Sequence, residues 1–170
     1  MDYKRMIIRV LWSNVIMDDV IVKQATFNAF ARFIQMFEVP FRVVMQAFDN
    51  LVKSAFLPDG KSLPIKNSFD SFVPVLLEKL TNPVEKLDWM NYCRKALLEE
   101  PCHSLTPAIF LWQIMVRYSS YFDDYSSLFI PFMVNSFGKI GFAANVTAEQ
   151  KMLTLELCEL VLQWNRPGER

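Results

Sequence analysis

Apolar residues recur at i, i+3, i+4 and i+7 along most of the chain, and no stretch sustains the period-two alternation of a half-buried strand. The pattern predicts an all-α protein. Its most continuous expression lies between residues 138 and 164. There Thr147 and Gln150 have the spacing of a capping box, and a helix follows to Trp164. At 100° per residue, Leu153, Leu157, Leu160, Val161 and Trp164 share one stripe, while Leu155, Cys158 and Leu162 lie opposite. Only Glu156, Glu159 and Gln163 form a polar line. A helix apolar over more than half its circumference is expected to sit between two layers of other helices.

The same periodicity places seven further helices. A first, over residues 2–17, carries Tyr3, Ile7, Val10 and Met17 on one face. Asp18 and Asp19 supply the cap of a second, in which Phe27, Phe30, Ile34 and Phe37 align, with Phe33 close by. Pro40 fits the first turn of a third, with a face of Phe41, Val44, Met45, Phe48, Leu51 and Val52; Pro58-Asp59-Gly60 closes it as a turn. The linker as far as Asn67 reads as an exposed loop. A fourth helix aligns Phe69, Phe72, Val73, Leu76, Leu77 and Leu80, and Pro74 within it predicts a kink or a later start. Asn82-Pro83-Val84-Glu85 is a cap, a first-position proline and an acidic third residue, opening a fifth helix to about Leu98. Glu99-Glu100-Pro101 stops it, and Thr106-Pro107 opens a sixth, apolar nearly all round through Ile109, Phe110, Trp112, Ile114 and Met115. Residues 118–125 read as an aromatic turn. The seventh helix runs through Phe129, Met133, Phe137 and Ile140 to Gly141, with Pro131 in its first turn.

Taken in pairs, these helices start near residues 2, 40, 82 and 126, a spacing of roughly 38 to 44 residues, close to the ~40–47 of HEAT and armadillo repeats. The expected fold is a HEAT/armadillo-like α-solenoid segment of about four helical hairpins, with residues 1–170 forming a single helical-repeat segment. Stacking explains why the sixth and eighth helices are apolar on two sides. A compact bundle is the other arrangement the same helices allow.

Composition narrows the partners. Lys and Arg total 18 and Asp and Glu total 18, so there is no net charge to draw the chain to nucleic acid or anionic lipid. A hydrophobic content of 52% and a mean hydropathy of +0.17 give an isolated domain little protection against association, as for a piece whose neighbours lie elsewhere. Lys4, Arg5, Lys61, Lys66, Lys79, Arg94 and Lys95 are dispersed rather than gathered into a stripe. The odd set of Cys93, Cys102 and Cys158 fits a reducing compartment. Arg9 interrupts the apolar start before a signal-peptide core forms. The longest apolar run, 108–116, is about half of a membrane span.

Chemistry has little material. Cys102-His103, with Cys93 nine residues earlier, matches no common zinc spacing, and His103 adjoins Cys102 instead of being brought opposite it as an activating base. Asp18-Asp19, Glu99-Glu100 and Asp123-Asp124 fall at helix ends, where capping and solvation account for them. The four glycines, at 60, 138, 141 and 168, form no phosphate loop. The expectation is therefore a non-enzyme with no catalytic, cofactor-binding or metal residues and no small-molecule substrate. Trp12, Trp89, Trp112 and Trp164, with fifteen phenylalanines and nine methionines, read as inter-helix core, and secondarily as a soft partner groove.

The residues Gly141-Phe142, Asn145-Val146-Thr147, Glu149-Gln150, Leu153, Leu155, Leu157, Glu159 and Trp164 resemble a segment in the helical-repeat region of the TRRAP family, the very large pseudokinases related to the phosphatidylinositol 3-kinase-like kinases. The likeness extends more loosely back to Thr106. It implies a scaffold segment of SAGA-type and related histone acetyltransferase complexes in the nucleus. It also implies other complex subunits and transcriptional activators as partners, and no catalysis. Family members are many times longer, so the chain corresponds to a fragment or to a truncated paralogue. Asn165-Arg166-Pro167-Gly168 ends the helix where the family continues with charged residues. A stand-alone helical adaptor or transport-type HEAT protein is the alternative from the residues alone.

Overall fold

A computed structural model describes residues 3–55, 63–98 and 106–165. Among them the chain is helical throughout: α1 (Tyr3–Val15), α2 (Val20–Met36), α3 (Phe41–Ser54), α4 (Leu63–Lys79), α5 (Pro83–Leu98), α6 (Thr106–Arg117), the single turn α7 (Ser119–Phe122), a 3-10 turn (Asp123–Tyr125), α8 (Ser126–Gly141) and α9 (Ala148–Trp164). The pairs open at Tyr3, Phe41, Pro83 and Ser126, giving spacings of 38, 42 and 43 residues, as the repeat reading requires. The chain packs as two compact units, Met1–Lys86 and Leu87–Arg170.

In the first unit, α1 packs on α2 and α3 on α4, while α2 and α4 make the broadest contact side by side. This is repeat logic: the second helix of each pair carries the larger apolar surface and meets the second helix of the next. Phe27, Phe30 and Ile34 of α2, Phe48 and Leu51 of α3, and Phe72 and Leu76 of α4 are fully enclosed. Each such side chain contributes roughly 1.5–3 kcal/mol. Phe48 lies 6.4 Å from both Phe69 and Phe72, edge-on to the first. Two hydroxyls reach across from α4 to α2: Ser71 Oγ donates to Asn28 Oδ1 at 2.6 Å and Ser68 Oγ to the Gln24 carbonyl at 3.5 Å. They hold the register of two otherwise apolar faces.

Local signals act as expected at three starts. Asp19 Oδ1 accepts from the N–H groups of Ile21 and Val22, at 2.8 and 2.9 Å. Asn82 Oδ1 accepts from Val84 N–H at 2.9 Å. Thr147 Oγ1 accepts from Gln150 N–H at 3.2 Å while Gln150 Oε1 accepts from Thr147 N–H at 3.0 Å, completing the capping box. Pro40 is the N-cap of α3, one position outside the helix.

Five expectations need correction. In α1 the buried residues are Leu11 and Val15, supported by half-buried Ile8 and Trp12, whereas Tyr3, Ile7, Val10 and Met17 are exposed. The helix has two apolar stripes, and the one that contains Trp12, whose ring lies 4.9 Å from Phe30, is the one that meets α2. The supposed loop before Asn67 is helical from Leu63, with Ile65 fully buried, because a proline at position 64 is compatible with a first helical turn. Hence Pro74 lies well inside α4, and the helix begins earlier than expected, not later. The aromatic turn is instead α7 and its 3-10 continuation, nucleated around fully buried Phe122, which stacks 5.2 Å from Trp89 and 5.6 Å from Phe129. Pro131 is the sixth residue of α8, beyond its first turn, on the exposed side. The Pro58-Asp59-Gly60 turn and the Glu99-Glu100-Pro101 stop lie outside the described residues.

In the second unit α9 packs on α8 and on α6. Gly141, the last residue of α8, is required for this approach: a Cβ there would meet Thr154 Cγ2 at 2.8 Å. Thr154 is buried and its hydroxyl donates to the Gln150 carbonyl at 2.8 Å, so its rotamer is not free to move aside.

Candidate protein-interaction surfaces

Among the described residues the structure gathers no reactive constellation from those weighed above. Cys102 and His103 lie outside the described residues. Cys93 is fully buried on α5, and desolvation pushes its thiol well above the ordinary range, so it is the neutral, unreactive form that packs there. Cys158 is a free, half-buried thiol. Among the described residues no three His, Cys, Asp or Glu side chains converge as metal ligands, and no helix is long and apolar enough to cross a membrane.

What the structure does present is uncovered apolar surface on ordered helices. On α1, Tyr3, Met6, Ile7 and Val10 follow helical spacing along one exposed side, with Tyr3 and Val10 each 59% exposed. Tyr3 sits edge-on to Phe37 at 6.2 Å, and Lys4 Nζ lies 5.0 Å from the centre of the same ring, so the start of the stripe is anchored to the end of α2. On α9, Leu153, Leu157, Leu160 and Trp164 are buried as expected. On the opposite stripe Leu155 and Leu162 are 63% and 70% exposed and Cys158 is half-buried, with Met152 beside them 57% exposed. Two helices, α6 and α8, thus cover the inner side of α9, and its outer side is left open among the described residues. Phe142, just beyond α8, is 82% exposed.

Two concavities accompany these faces. In the first unit a cleft of about 530 Å³ lies where α2 ends, α3 begins and α4 ends, with Phe41 and Val44 against Glu38, Lys79 and Glu85. In the second a recess of about 260 Å³ is bounded by α5, α6 and α8. The sequence pattern groups Tyr3, Ile7 and Val10 on one face, and the structure turns that face outward.

Paired helices at a 38 to 43-residue period, second helices packed on second helices, and apolar faces left open on ordered elements define a HEAT-type helical-repeat protein of the α-solenoid class. The chain belongs to the family of the Tra1 HEAT repeat ring region, whose model matches residues 1–169. It is 27% identical over 163 residues, 96% of its length, to the SAGA complex/NuA4 acetyltransferase complex subunit TRA1 of Saccharomyces cerevisiae. It is 26% identical over 166 residues to a transcription-associated protein 1 of Dictyostelium discoideum, and 22% identical over 134 residues to the human transformation/transcription domain-associated protein. The chain spans about 4% of the length of the yeast and Dictyostelium relatives and 3% of the human one. No solved structure gives a significant match.

Proposed function

We propose that the chain is a single helical-repeat segment serving as a non-catalytic structural scaffold in a nuclear transcription coactivator assembly of the histone acetyltransferase type. The observation that carries the reading is the match across residues 1–169 to a repeat-ring family whose yeast member is named as a subunit of the SAGA and NuA4 acetyltransferase complexes. The exposed stripes of α1 and α9 support it, because ordered apolar side chains facing outward suit a segment that packs against other protein. With zero net charge, such packing is recognised by shape and apolar area, which favours protein subunits over nucleic acid as direct partners.

The test is affinity purification of the tagged chain, expressed in its own cells, from native nuclear extract. Histone acetyltransferase activity and subunits of the assembly are expected to co-elute. Recovery of the chain alone, with no acetyltransferase activity above that of an untagged control, would overturn the reading.

A further inference from the structure

The outward stripes of α1 and α9 differ in the charges that stand beside them. At 100° per residue Tyr3, Met6, Ile7 and Val10 share the exposed side of α1, and Arg5 and Arg9, one turn apart and both exposed, line one shoulder of it. Besides these two α1 carries Lys4, and it contains no carboxylate. On α9 the outward stripe is Leu155, Cys158 and Leu162, and Met152, Glu156 and Glu159 stand exposed along one shoulder. The charges of α9 are Glu149, Glu156 and Glu159 against Lys151 alone. One chain thus holds a basic-flanked and an acidic-flanked apolar stripe.

Apolar area drives such stripes together, and the charges beside them select the partner, because like charges set opposite one another oppose association. Pairing α1 with α1 of another copy brings Arg5 and Arg9 against themselves, and pairing α9 with α9 does the same to Glu156 and Glu159. Pairing α1 with α9 removes both conflicts. Viewed from the N-terminus, the arginines lie anticlockwise of the α1 stripe and the glutamates clockwise of the α9 stripe, so the two shoulders meet when the helices run parallel. We propose that copies of this chain associate through α1 of one packed parallel on α9 of the next. Zero net charge leaves no overall repulsion against it. The 13 residues of α1 make a face about 20 Å long, and a contact confined to it stays below roughly 1,200 Å², the range of weak, transient complexes. Such a contact joins two different surfaces, so it extends into longer species or closes into a ring. The inference does not rest on the scaffold reading and is tested on the isolated chain, so either can fail without the other.

Sedimentation velocity of the full chain over a concentration series is expected to give a sedimentation coefficient that rises with concentration. Arg9→Glu, and Glu156→Lys combined with Glu159→Lys, are each expected to weaken self-association about fivefold, the scale of an exposed ion pair. All three positions are exposed, and far-UV circular dichroism checks that both variants keep the helical content of the parent. Mixed in equal amounts, the two variants are expected to associate with each other more tightly than either does with itself, because the glutamate now on α1 of one faces the lysines now on α9 of the other. Misfolding cannot produce that recovery. A monomer at every concentration, which would leave the stripes to other proteins, would overturn the proposal. So would self-association that neither variant changes, or a mixture that behaves as the average of its parts.

Discussion

Helices α6 and α9 belong to the same unit, pack on each other, and are both apolar on two sides in sequence, yet they end in different environments. In α6, Ala108, Phe110, Leu111, Trp112, Ile114 and Met115 are all buried, leaving only Arg117 fully outside among its described side chains. In α9 the inner stripe is buried to the same degree, while Met152, Leu155 and Leu162 stand in solvent. Periodicity therefore reports how much apolar surface a helix carries and on which sides. It does not report whether this stretch of chain supplies the cover. For α6 the cover is local. For α9 half of it is absent from the described residues, and that half is where an interaction can form.

The comparison is broken most directly at the inner faces. Trp112→Ala in α6 and Trp164→Ala in α9 are each expected to cost about 3–5 kcal/mol, since both rings are buried. Urea unfolding of the two variants measures the loss. A cost below about 1 kcal/mol for Trp164 would show that α9 is not a core layer at all, and the equivalence of the two inner faces would fail.

A smaller effect tests how closely α9 is held. Gly141→Ala places a methyl group 2.8 Å from Thr154 Cγ2, and the Thr154 hydroxyl is tied to Gln150. The expected destabilisation is about 1–3 kcal/mol, as for overpacking of a tight contact. The neighbouring Gly138→Ala, where a Cβ meets nothing within 4 Å, is the matched control and should be neutral or mildly stabilising. Similar values for the two would mean that α8 and α9 do not approach closely at Gly141.

Much of this arrangement was legible before the structure. Helix starts were written in local chemistry, so Asp19, Asn82 and the Thr147/Gln150 box could be placed residue by residue. The repeat period followed from the starts near residues 2, 40, 82 and 126, one of which Asn82 marks. What could not be read was the choice between two apolar stripes on one helix. In α1, Tyr3, Ile7 and Val10 repeat as regularly as Leu11 and Val15, and only contact with α2 decides which set is buried. Residues 63–67 were missed for a different reason: a short polar lead-in hid the fact that the proline at position 64 opens a helix. The recess bounded by α5, α6 and α8 left no trace in the pattern, because a cavity depends on how three helices meet and not on the periodicity of any one.

The smallest expected change in stability carries the most information about function. Leu155→Gln combined with Leu162→Gln alters only the outer stripe of α9, where both side chains are largely exposed. In the isolated chain each substitution should change stability by less than about 0.5 kcal/mol, the usual range for surface positions without special contacts, and solubility should rise as the apolar patch is interrupted. The same double variant is expected to recover markedly less acetyltransferase activity than the unsubstituted chain in the native-extract purification. That outcome separates a face kept apolar for a partner from one that is apolar by chance. If the double variant unfolds at the same urea concentration and co-purifies as well as the parent, the outer stripe of α9 has no partner, and its contrast with α6 is one of exposure alone.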